Sequence, residues 1–275
     1  MEKYTYRPRK FYCTAFGVTW FFWLQAILFN EGASLTVFML LGLLSPAAVA
    51  VVTVFTSGSE ALKRDFKSKL TAFYRLKPLQ ILFAVLVFAG IVCASILLSL
   101  LFGGEVSQFR FTEDFSFSVG GTSALLTILL ASVIEEIGWR GYGEDSVAAY
   151  HSWFRESVIF GALWACWHLP LFWIPGTYQY GLRELGIGYM LNFLLSVIPL
   201  GFITTWVYVK NNRSMLASII FHLFVNTMQE KIAMTPETKI IETFVVTLAA
   251  GVIVAANKEL FFEKKHIGHL LDDEA

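Results

Sequence analysis

The sequence predicts an all-α, polytopic membrane protein of about eight transmembrane helices around one cavity opening to the cytoplasmic side. Composition, run length and the placement of charge predict it. Of 275 residues, 56 % are apolar and only 15 % charged, against about 25 % charged in an ordinary soluble domain. Mean hydropathy is +0.61. Long apolar runs recur along the whole chain, and a backbone in lipid must satisfy its own hydrogen bonds, so each run is a helix. Formal net charge is zero, so the total charge gives no argument for a nucleic-acid or acidic partner, and no nucleic acid is expected.

Eight runs qualify, in order Phe11–Phe29, Ala33–Phe55, Leu79–Phe102, Val119–Trp139, Ser157–Trp173, Leu185–Val209, Met215–Met228 and Ile241–Ala256. The fifth and seventh fall short of the roughly 20 residues a crossing needs. With the N-terminus cytoplasmic, all but Arg110, Arg183, Lys231 and Lys239 of the 21 Lys and Arg residues lie on the cytoplasmic side. That asymmetry predicts eight spans with both termini cytoplasmic. The first run is long, aromatic and without a small-residue cleavage site, so no cleavable signal is expected. No repeat or linker divides the chain, which reads as one domain over residues 1–275. Its compact loops fit a prokaryotic cell membrane better than the endoplasmic reticulum.

Three side regions carry weaker signals. Cys13, Cys93 and Cys166 lie in separate apolar runs and read as small buried hydrophobes. In Ser57–Gln80, Lys63, Arg64, Lys67 and Lys69 alternate with Leu62, Phe66, Leu70 and Phe73. That pattern fits either an amphipathic helix on an anionic membrane surface or a solvated linker that sets topology. His266, His269, Asp272 and Asp273 read as a polar tail.

The chemistry sits in three constellations. Glu135 and Glu136 are adjacent at the end of the fourth run, and Arg140 follows Glu136 by one helical turn, close enough to pair. Glu135 is rotated about 100° away and needs another partner. His168 lies among aromatics in the fifth run, one turn after Trp164, and Pro170 is expected to kink the helix just beyond it. His222 and Asn226 share one face of the seventh run. Taking Gly141 as a helix end, Glu135, His222 and His168 lie about 9, 12 and 18 Å from the cytoplasmic side. Ionisable groups at one depth in a membrane mark a functional site.

A carboxylate, two imidazoles and an amide can activate water and stabilise an oxyanion, the minimum for amide hydrolysis. Alternatively, Glu135, His168 and His222 could hold Zn²⁺ with water in the fourth position. No recognised zinc-ligand spacing is present, so no cofactor is favoured, and zinc stays open. Intramembrane Glu and His groups also relay protons in transporters, but no inverted repeat or paired broken helices accompany them here.

Together, in this order and on separate spans, Glu135-Glu136-xxx-Arg140, Trp164-xxx-His168 and His222-xxx-Asn226 resemble the motifs of the CAAX-protease and bacteriocin-processing membrane family. Trp164 stands where the family usually has Phe. The resemblance implies an intramembrane protease, in the Ras-converting branch an endopeptidase that removes the last three residues of a prenylated CAAX sequence. By carry-over, Glu135 and His168 activate water, His222 and Asn226 form the oxyanion site, and Glu136 with Arg140 forms a supporting ion pair. Trp164 is expected only to pack. The implied partners are a prenylated CAAX protein and membrane lipid, and the expected state is a monomer. Within the family, processing of bacteriocin leaders or other membrane peptides, or bacteriocin immunity, is the alternative.

Overall fold

The computed structural model describes residues 4–112 and 124–263. The start of the Val119–Trp139 run and the His266–Asp273 tail lie outside the described residues. The helices are α1 Pro8–Leu28, α2 Gly32–Phe55, α3 Glu60–Thr71, α4 Pro78–Ser99, α5 Ala124–Gly138, α6 Glu144–Ala148, α7 Trp153–Trp167, α8 Tyr178–Leu185, α9 Ile187–Lys210, α10 Met215–Lys231, α11 Pro236–Ala256 and α12 Lys258–Phe262. Among the described residues there is no sheet, only an isolated bridge between Phe111 and Ile232.

Every predicted run contains a helix. Five are long and apolar enough to cross a membrane: α1, α2, α4 with its 3-10 extension to Phe102, α9 and α11. The fifth run breaks. After α7 the chain makes a 3-10 turn, Leu169–Trp173, and α8 leaves at 77°. Pro170 sits in that turn, two residues after His168, the C-terminal cap of α7. Both described ends of the chain lie at one end of the bundle. Tyr150 donates to the carbonyl of Tyr6 at 2.6 Å, and Phe262 stacks on Phe154 at 4.8 Å.

Prolines and glycines set how closely the helices approach. Pro46 lies inside α2 and has no N–H, so the carbonyl of Gly42 loses its helical donor. Thr19 of α1 replaces it, donating to Gly42 at 3.2 Å, and Thr19 accepts in turn from Trp167 Nε1 at 3.1 Å. Trp20 Nε1 donates to the Trp167 carbonyl at 3.2 Å. The C-terminal end of α7, where His168 follows, is thereby fixed to α1. Gly138 of α5 faces the same proline: an added Cβ would stand 2.8 Å from the Pro46 carbonyl carbon. Small residues give helices in lipid their closest contacts.

Two expectations need correction. Gly141 is not a helix end. The chain continues through a π-helical turn, Trp139–Gly143, into α6, so Glu135 lies thirteen residues before Ala148 and far from the chain-terminus end. Cys13, Cys93 and Cys166 are exposed rather than buried, on the outward faces of α1, α4 and α7. An apolar run shows that a residue is in the membrane but not which side of its helix it takes.

The π-helical turn explains α3. Such a turn misaligns backbone carbonyls, and Lys69 collects two of them. Its Nζ donates to the carbonyls of Arg140 and Gly141, each at 3.0 Å, and pairs with Asp145 at 2.6 Å. Arg213 bridges Asp65, at 2.6 Å, to Asp145. Lys69 is fully buried, so this face of α3 docks on the protein, neither lying on lipid nor acting as a free linker. Burial alone would raise the Asp65 carboxyl, but Arg213, Lys69 and Arg75 together hold it down to about 2, from an ordinary 3.8.

Two outcomes follow for α3. Lys69→Met should destabilise the protein by about 3–5 kcal/mol, because it strands Asp145 and two carbonyls; thermal unfolding measures this. The Asp65 carboxyl sits lower in the fold than in the unfolded chain. Its stabilisation is therefore complete above about pH 4 and is lost as pH falls from there to about 2. Amide protection across Glu60–Thr71 should fall in that window first.

Candidate active site

Glu136 and Arg140 pair as their spacing predicts, with Nη1 donating to Oε1 at 3.0 Å. The same oxygen takes His222 Nδ1 at 2.8 Å. One carboxylate oxygen thus joins α5 to α10 and sets the imidazole. Arg140 Nη2 lies 3.0 Å from Glu144 Oε1, and its guanidinium covers the Phe160 ring at 4.7 Å. Thr205 donates between Glu144 and Glu156, at 3.4 and 3.3 Å. Glu136, Arg140, Glu144 and Glu156 are all 0 % exposed. This ionic layer closes the chain-terminus side of the site.

Glu135 points elsewhere and finds Trp164, whose Nε1 donates to Oε2 at 3.0 Å. The expectation that Trp164 only packs was incomplete. Its ring also stacks on Phe160 and meets His222 edge-on at 5.6 Å, so it packs and orients at once. His168 Nδ1 lies 2.6 Å from the Trp164 carbonyl. A carbonyl only accepts, so Nδ1 carries the hydrogen, and Nε2 is the lone-pair nitrogen in the neutral ring.

Asn226 Nδ2 contacts Ser132 Oγ at 3.4 Å, and Ser132 donates to the Ile128 carbonyl at 2.9 Å. With its hydrogen spent, Ser132 offers Asn226 only lone pairs, which fixes which end of the amide faces it. One Nδ2 hydrogen remains for a ligand.

Glu135, His168, His222 and Asn226 all line one cavity of about 230 Å³. Its apolar wall includes Met39, Leu43, Phe88 and Leu200, and its far end Gln179, Tyr189, Gln229, Glu230 and Lys239. Exposure rises from 0 % at Glu136 to 4 % at His222 and 7 % at Glu135, while Gln229, Glu230 and Lys239 are half-buried. The cavity therefore opens at the end of α10 and start of α11, away from the described chain ends. A mouth on the side of the termini had been expected; the longer helix after Glu135 and the ionic layer reverse that geometry.

The three side chains considered for zinc share this cavity, each with an uncommitted oxygen or nitrogen. Among the described residues, however, no three His, Cys, Asp or Glu side chains gather closely enough to hold an ion.

Sequence reading missed Ser132, Glu144, Glu156 and Lys69. Glu144 had a legible signal, since Glu136, Arg140 and Glu144 repeat at one-turn spacing; Ser132 stands one turn before Glu136 on the same face. Glu156 and Lys69 come from distant segments and had none. Glu136→Ala should cost about 3–5 kcal/mol in unfolding free energy, since it deprives a buried guanidinium and His222 of their shared acceptor. Denaturant unfolding in detergent measures it.

Comparison with known proteins follows the same residues. A model of the Rce1-like type II CAAX prenyl endopeptidase family matches residues 120–228, which contain every motif residue from Glu135 to Asn226. A curated archaeal relative, CAAX prenyl protease 2 of Methanococcus maripaludis, is 38 % identical over 270 residues, covering 96 % of this chain and 99 % of the relative. The chain belongs to the Rce1-like family of type II CAAX prenyl endopeptidases and is a peptide hydrolase.

Proposed function

We propose that this chain is an intramembrane endopeptidase that releases the C-terminal tripeptide from prenylated CAAX proteins. The observation that carries the reading is the convergence, in one cavity, of Glu135 oriented by Trp164, His168 presenting Nε2, and the donors His222 and Asn226. Family membership supports the substrate class.

Water bound between Glu135 and His168 Nε2 loses a proton to them as its oxygen attacks the scissile carbonyl carbon. The oxyanion accepts from Asn226 Nδ2–H and from His222 Nε2–H. In the imidazolium form both His222 nitrogens donate, Nδ1–H to Glu136 and Nε2–H into the cavity. Collapse breaks the C–N bond, and the held proton passes to the leaving amine. A prenylcysteine carboxylate and a tripeptide result. The apolar wall at Met39, Leu43, Phe88 and Leu200 takes the prenyl chain. The groups of this step all come from one chain, in keeping with the expected monomer.

Prenylated substrates arise in the cytoplasm, so the reading puts the mouth on that side. The described chain ends lie at the other end of the bundle, so on this reading they sit nearer the opposite membrane face. The bias of loop cations argues the reverse. Labelling of Cys variants at Tyr189 and Arg9 in sealed vesicles decides the orientation.

With a farnesylated CAAX peptide, Glu135→Gln should lose about 10²–10⁴-fold in kcat, the usual worth of a general base. Trp164→Phe keeps an aromatic but removes the donor to Glu135. It should cost about tenfold, as for one hydrogen bond to a charged group. A chelator should leave wild-type activity intact. Loss of activity with chelator and its return with Zn²⁺ would instead make Glu135, His168 and His222 ligands.

A further inference from the structure

Beyond Asn226 the cavity ends in polar groups that the hydrolytic step does not use. Lys239, in the first turn of α11, places Nζ over the Tyr178 ring at 4.6 Å and donates to the Gln229 carbonyl at 3.2 Å. It forms no ion pair with a described residue. Glu230 and Glu242 line the same end, but both have partners; Glu242 accepts from Gln229 Nε2 at 2.6 Å. Gln179 of α8 also lines the cavity. It is 9 % exposed, and its side chain has no hydrogen-bond partner among the described residues. A cation held by a ring and a carbonyl, one helical turn from Glu242 but not bonded to it, shares one cavity with an unpartnered amide, and an acceptor with negative charge can take both.

The spacing identifies that acceptor. His222 and Gln229 are seven residues apart on α10, which is about 10 Å of rise along nearly the same face. Lys239 is bonded at the level of Gln229. Three extended residues also span about 10 Å. We infer that Lys239, with Gln179, binds the free α-carboxylate of the substrate's last residue, so that the chain measures a three-residue leaving segment. The inference rests on the endopeptidase reading above and deepens it: the enzyme would select for a free C-terminus as well as for a lipid.

The test compares two farnesylated CAAX peptides, identical except that one ends in a free acid and the other in an amide, on the full-length protein in lipid nanodiscs. Wild type should favour the acid by about tenfold or more in kcat/KM, as expected for a charge-assisted contact, mostly through KM. Lys239→Met should remove that preference, and Lys239→Arg should keep most of it. Equal cleavage of acid and amide by wild type would overturn the inference without needing any variant. A preference that survives in folded Lys239→Met would overturn it too, while leaving the endopeptidase reading intact. Wild type that cleaves neither peptide would bring down the endopeptidase reading, and the carboxylate site with it.

Discussion

The site depends on one carboxylate oxygen. Glu136 Oε1 accepts from both Arg140 and His222, and so couples a buried cation on its own helix to a ring on α10. Neither donor could stand alone at this depth, because an uncompensated charge in an apolar interior costs several kcal/mol. The consequence is a division of labour between neighbours in sequence. Glu136 is spent on structure, and Glu135, turned about 100° away on the helix, is left for the cavity. Adjacent glutamates serve this because a helix sends them to different surroundings.

The rest of the fold holds that arrangement still. A proline in α2 orphans a carbonyl, Thr19 bonds it, and Trp167 bonds Thr19, which anchors the residue before His168. A π-helical turn after Glu136 exposes carbonyls, and Lys69 brings α3 in to cover them. In each case a break in regular helix bonding is met by a side chain from elsewhere in the sequence. The breaks are what join the helices.

Much of this was legible in the sequence and some was not. The runs, the Glu136–Arg140 pair, the kink at Pro170 and the shared face of His222 and Asn226 follow from local periodicity, and local periodicity survives folding. The helix beyond Gly141 did not, since a glycine permits a helix end without forcing one; here Phe66 lies 2.7 Å from where a Cβ would be. The direction of the cavity was lost with it. Trp164 was read as packing because an aromatic in an apolar run gives no sign of where its N–H goes. Lys69 looked like a surface cation because its partners, Asp145 and two carbonyls, lie more than seventy residues away.

The central claim is that Glu135 and His168 deliver water directly to the scissile carbonyl. A single turnover of a farnesylated CAAX peptide in H₂¹⁸O, read by mass spectrometry, tests it most directly. The account predicts one ¹⁸O in the new carboxylate of the prenylcysteine product and none in the protein. Label in the Glu135 carboxylate, with unlabelled product from the first turnover, would mean that Glu135 attacks the substrate itself, and would contradict the account.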